Sequence, residues 1–185
     1  MTMHERVQAF NDLMKNAFNP TDVNILGESL SVMGFFTAPA STKHHGNYEG
    51  GLFDHSLAVT MALLDLTDRL GLQWEDPRSP YLVGMFHDLC KCDSYIVGKH
   101  RYDWNADQLL TGHGYKSAIL AQRLISLTQE GFSYLTDEEN LCIRWHMGAF
   151  DDKENWRAYN NAIKAFPNVL YTHTADMIAS QIKGC

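Results

Sequence analysis

Six side chains of this 185-residue sequence combine the residue types and spacing of a metal centre: His55, His87, Asp88, His113, His146 and Asp176. His55 shares a helical stripe with Val59, Ala62 and Leu66, so it faces the core and not water. Gly84, His87, Asp88 and Lys91 fall at i, i+3, i+4 and i+7, one face of a predicted helix. A glycine inside that helix costs roughly 1 kcal/mol against alanine, which implies that something approaches closely there. His113 opens a helix after Thr111-Gly112, His146 follows Cys142 and Ile143 on an apolar stripe, and Asp176 lies among Ala175, Met177, Ile178 and Ala179. Taken singly, each is most simply a satisfied core histidine or a capping aspartate. Taken together they bury four imidazoles and two carboxylates on five helices, which is costly unless the groups are paired or bind metal. A donor set of imidazole and carboxylate without thiolate suits Mn, Fe, Co, Ni or Zn. Six donors exceed what a tetrahedral structural zinc needs. Two divalent ions bridged by one carboxylate use them economically, and a pair about 3.5–4 Å apart can share a hydroxide and clamp phosphoryl oxygens.

The elements that must position these groups are almost all helical by periodicity. Helices are predicted over His4–Asn19, Asp22–Met33 and Phe53–Leu70, the last stopped by Gly71, with an irregular stretch from Gly34 to Gly51. Pro80 opens another reaching about Leu89, where its missing N–H costs nothing. Four more run over His113–Gln129, Asp137–Met147, Asn155–Phe166, and from Pro167 or Asn168 to Ile182. Ser94-Tyr95-Ile96-Val97 and Arg101-Tyr102-Asp103-Trp104 flank Gly98-Lys99-His100 and read as a β-hairpin. The expected fold is all-α with one small hairpin insertion near residues 94–104. It forms a single domain over 1–185, with N-terminal helices in 1–34 and a motif-bearing core over about 48–182.

Composition narrows the function. Lys plus Arg number 15 against 22 Asp plus Glu, a net charge of −7, which argues against an extended groove tracking many phosphates. Cys90, Cys92, Cys142 and Cys185 form no C-x-x-C pair, and Cys90-Lys91-Cys92 is too tight for the usual zinc spacing. The opening residues hold no apolar run that could serve as a signal-peptide core, and no stretch reaches the ~18 apolar residues of a membrane span. The expectation is a soluble, cytoplasmic protein with reduced thiols and no membrane partner.

The ordered set His55, His87-Asp88, His113, His146, Asp176 resembles the H…HD…H…H…D pattern of the HD-domain superfamily of metal-dependent hydrolases. Local sequence carries the likeness further: Gly50-Gly51-Leu52-Phe53-Asp54-His55, Phe86-His87-Asp88-Leu89-Cys90-Lys91, Gly112-His113-Gly114 and His173-Thr174-Ala175-Asp176. The resemblance implies a helical HD bundle with His55, His87, Asp88 and Asp176 on one ion. Asp88 would bridge to a second ion held by His113 and His146. Met147 stands where the HD-GYP group has a second histidine and the GYP triplet is absent, so cyclic-di-GMP is not the expected substrate. No OB-fold segment accompanies the domain, which speaks against exoribonuclease activity. Several branches of the family use a lysine matching Lys91, whose ammonium could reach a phosphate from one turn beyond His87. Lys116 stands in the same relation to His113.

The function expected from the resemblance is hydrolysis of a phosphomonoester or phosphodiester of a nucleotide or small phosphorylated molecule by a metal-bound hydroxide. Asp88 and Lys91 would be the catalytic groups, and Lys91 and Lys116 would bind substrate. The same ligand order also serves mixed-valent di-iron oxygenases resembling myo-inositol oxygenase, which is the alternative; a non-catalytic metal-binding sensor is a third reading. Lys43-His44-His45 and Lys99-His100-Arg101 are basic clusters beside the motifs that either add local positive potential or are ordinary loop charge. Glu49 and His173 are candidate supporting partners for the ligands, and His4 reads as surface. The Tyr95–Trp104 hairpin is either an aromatic lid or a packed insertion.

Overall fold

Capping chemistry sets where the first helices begin. Thr2 accepts the Glu5 N–H while the Glu5 carboxylate accepts the Thr2 N–H, a reciprocal box that opens α1 (Met3–Met14). Asn19 caps α2 (Pro20–Val32), with Pro20 in its first turn. The computed structural model describes residues 1–44, 46–98, 101–129 and 134–184. Within them α3 spans Gly51–Leu70, α4 Ser79–Phe86, β1 Tyr95–Gly98 and β2 Arg101–Trp104. Then follow α5 (His113–Ile125), α6 (Asp137–Trp145), α7 (Trp156–Ala165) and α8 (Asn168–Met177), which runs on as π-helix over Ile178–Lys183. The protein is all-α with one two-stranded antiparallel hairpin. Tyr95 pairs with Trp104 in the hairpin, their rings meeting edge to face at 5.9 Å. Lys99 and His100 of the expected turn, and His45 of the other basic cluster, lie outside the described residues.

The stretch after α2 contributes to the core although it is irregular. Phe35 and Phe36 are fully buried and meet Phe10 of α1 and Phe53 of α3 in edge-on and tilted contacts with centroids 5.4–6.0 Å apart. Arg6, buried, donates two hydrogen bonds to Asp54 at 2.9 and 3.1 Å, which pins α1 to the first turn of α3 beside His55. Gly50, at φ +80°, lies flat against that guanidinium, where any Cβ would overlap it.

The close approach expected at Gly84 is with α3: a Cβ there would stand 2.6 Å from the Thr60 Cα. Gly114 does the same work for α5, since a Cβ would overlap the Arg144 carbonyl and lift α5 off α6. The expected helix through Leu89 ends instead at Phe86. Nδ1–H of His87 donates to the Gly84 carbonyl at 2.8 Å, displacing the backbone N–H of Asp88 that helical geometry would bring there. Asp88 leaves helical geometry (φ −113°, ψ 20°) and a short 3-10 turn, Leu89–Cys92, follows. Gly84, His87, Asp88 and Lys91 therefore do not share one continuous helical face. α6 ends early by the same device, with Nδ1–H of His146 on the Ile143 carbonyl at 2.7 Å. Among the described residues no helix is long and apolar enough to cross a membrane.

Candidate metal centre

The two helix-ending histidines converge on one carboxylate. Because their Nδ1 atoms donate to backbone carbonyls, His87 and His146 carry their lone pairs on Nε2, the nitrogen turned toward Asp88. His87 Nε2 lies 3.5 Å from Asp88 Oδ2. His55, from the first turns of α3, brings its Nε2 to 3.3 Å from His87 Nε2, 3.5 Å from Asp88 Oδ2 and 3.2 Å from Asp176 Oδ1. On the other oxygen, Asp88 Oδ1 meets Nε2 of His113 at 2.7 Å and Nε2 of His146 at 3.4 Å. All six residues singled out in the sequence come together, Asp88 standing between two groups of donors.

His55, His87, Asp88 and His146 are at most 2% exposed, while Asp176 and His113 sit at the edge. His146 Nε2 is buried without a hydrogen-bond partner among the described residues. An orphaned imidazole lone pair aimed at a buried carboxylate is costly, and a cation between them satisfies both. Donor atoms close enough to hold a metal ion fall into three groups: His55, His87 and Asp176; His87, Asp88 and His146; and Asp88, Cys90 and His113. The third brings a thiol beside a donor set expected to contain none. Cys90 fits no zinc spacing in the sequence, but the 3-10 turn after Asp88 carries it to His113.

Charge inside the cluster is balanced by protein groups. Burial acts to raise the Asp88 carboxyl, but Lys91 and the hydrogen-bonded His113 outweigh it and hold it well below the usual carboxylate range. Lys91 Nζ lies 2.6 Å from Asp88 Oδ2; burial depresses the ammonium, yet Asp88 more than compensates and its proton is held above the ordinary lysine range. Asp176 is likewise kept ionised, its hydrogen bond with His55 overcoming its burial. Burial also pulls His113 down, but Cys90 and Asp88 beside it push it up to about 9.

A cavity of about 850 Å³ opens over the cluster, faced by Asp88, His113 and Asp176 and by Lys91, His44 and Tyr95. Phe150, exposed, stands on its rim with Gln181 from the π-helical end of the chain, two residues with no signal in the sequence. Lys116 is placed differently from its expected role. It is 2% exposed and its ammonium is held by the Asp93 carboxylate and by Gln108 Oε1 at 2.7 Å, so it fastens α5 to the segments flanking the hairpin. Glu49 is exposed and lines a separate depression with Cys92 and Tyr102. His173 touches the centre only through backbone, its Nδ1–H donating to the His146 carbonyl at 2.7 Å. His4 is exposed, as expected.

No family model, no curated protein and no solved structure matches this chain.

Proposed function

We propose that the chain is a metal-dependent phosphohydrolase of the HD type, acting on a nucleotide or another small phosphoester. The observation that supports this reading is the division of Asp88: one buried carboxylate offers Oδ2 to the His55, His87 and Asp176 side and Oδ1 to His113 and His146. His55, His87, Asp88 and Asp176 would hold one divalent ion, and Asp88, His113 and His146 a second. Such ions supply Lewis acidity toward phosphoryl oxygens and a water acidified enough to be a nucleophile near neutral pH.

The chain's own groups do the rest. Lys91, facing the cavity from beside Asp88, offers a fixed cation to a non-bridging phosphoryl oxygen. The short 3-10 turn that carries it keeps Asp88 and Lys91 together. The buried carbonyl contacts of His87 and His146 fix their tautomers, so neither ring is free to turn its Nε2 away. A chain of net −7 lacks the positive charge that a long nucleic acid needs, which suits a small phosphate instead.

The test is metal analysis of protein purified without chelator, followed by phosphate release from a panel of nucleotides and simple diesters under argon with Mn²⁺ or Co²⁺. Turnover that disappears together with metal in Asp88→Ala is the expected result. Full phosphatase activity in a metal-free Asp88→Ala variant would sink the reading. A mixed-valent di-iron EPR signal with oxygen uptake would replace hydrolysis by oxygenation.

A further inference from the structure

We infer that His173 is a positioning residue for the Asp88, His113 and His146 half of the centre, although it binds no ion itself; the inference rests on the two-ion reading above. α8 carries two functional groups one turn apart. Asp176 reaches into the cluster beside His55, and His173 turns to the end of α6 instead. That end is where His146 leaves the helix, and its carbonyl is one of the acceptors that a helix terminus leaves without an intrahelical donor. The Nδ1–H of His173 takes it at 2.7 Å, and with a carbonyl as partner Nδ1 is necessarily the protonated nitrogen.

The ring is used as well as the hydrogen bond. Gly148, at φ +55°, turns the chain directly over the imidazole, and a Cβ there would stand 2.6 Å from it. Phe150 and Tyr159 close around the ring with centroids at 6.3 and 6.5 Å. His146 is thus held at two points: its side chain by the Ile143 carbonyl and its backbone by His173. Its Nε2, left without a hydrogen-bond partner among the described residues, is thereby held 3.4 Å from Asp88 Oδ1. Among the described residues His173 makes no hydrogen bond to His55 or His87, so on the two-ion reading its loss reaches the centre through His146.

The experiment is titration of the metal-free chain with Co²⁺, followed by calorimetry and by the visible absorption of the bound ion. It compares wild type with His173→Phe, which keeps a ring under Gly148 but no donor, and His173→Asn, whose amide N–H replaces Nδ1–H. Wild type is expected to bind two ions. His173→Phe is expected to bind the first normally and the second about 10–100-fold more weakly, the range seen when a ligand's supporting partner is lost, and His173→Asn to recover most of that loss. Equal binding of both ions by His173→Phe, or equal weakening of both, would overturn the assignment. A wild-type chain that takes up fewer than two ions would overturn the two-ion reading on which it rests.

Discussion

His113 Nε2 lies 2.7 Å from Asp88 Oδ1, although the residues are 25 positions apart and belong to different elements. The contact joins a histidine at the cavity edge to a carboxylate that is 2% exposed. It gives Asp88 a partner on the oxygen that Lys91 does not occupy. Both halves of the site therefore depend on one side chain, and its behaviour can be measured from several directions.

The first consequence is a pH dependence. His113 is raised from 6.5 to about 9, against its burial, by Cys90 and Asp88. A histidine raised in the folded state stabilises the metal-free protein fully below about 6.5, and that contribution is lost as pH rises through about 9. Metal needs the neutral imidazole, so loading at pH 7 expels a proton and affinity climbs toward pH 9. Calorimetry in two buffers of different ionisation enthalpy should report about one proton released on filling this half of the site. A buffer-independent enthalpy would contradict the assignment.

Removing the shared carboxylate should cost stability as well as metal. Asp88→Ala leaves the Lys91 ammonium, only 9% exposed, without the oxygen now 2.6 Å from it. Breaking a buried pair from one side costs about 3–5 kcal/mol. Denaturant unfolding in chelator reads this directly, and Lys91→Met in the same background should restore part of the loss. If that second change brings no recovery, the cost lies elsewhere than in the stranded cation.

Gly84→Ala tests the spacing of α3 and α4. The added methyl meets Thr60 backbone at 2.6 Å, which cannot swing aside as a side-chain tip can. The expected loss is about 1–3 kcal/mol, the range for overpacking. Because α3 carries His55, and His87 directly follows α4, metal affinity should fall with it. Unchanged melting and unchanged Co²⁺ binding would show that the helices have slack there.

Lys91→Met addresses turnover. A fixed donor at the reacting group is worth about 10²–10³ in rate. Phosphate release should drop by that order while metal content, read by mass spectrometry, does not fall. Parallel loss of metal and rate would make Lys91 a support for Asp88 and not a contact to substrate.

Much of this was legible in one dimension. The reciprocal caps are written as Thr2-x-x-Glu5 and Thr136-x-x-Glu139, and α1 and α6 begin where those pairs stand. The inward direction of His55 follows from the 3.6-residue period of its apolar neighbours. Helix ends were less legible. Periodicity carries the α4 pattern to Leu89, but a side chain that claims the Gly84 carbonyl stops the helix at Phe86, and period alone does not register such competition. Lys116 was misleading for a related reason. Its spacing from His113 is right for a shared face, yet Asp93, 23 residues earlier, holds its ammonium.

By itself the sequence determined which donors exist, that they are imidazole and carboxylate in a helical protein, and that a hairpin interrupts the helices. Tertiary structure alone decided that Asp88 turns one oxygen to His55 and His87 and the other to His113 and His146, and that Cys90 joins the third group. The reason is physical. Periodicity encodes which way a side chain points from its own helix. The distance between helices is set where two segments touch, at Gly84 on Thr60 and at Gly114 on the Arg144 carbonyl, by pairs of residues that share no local pattern.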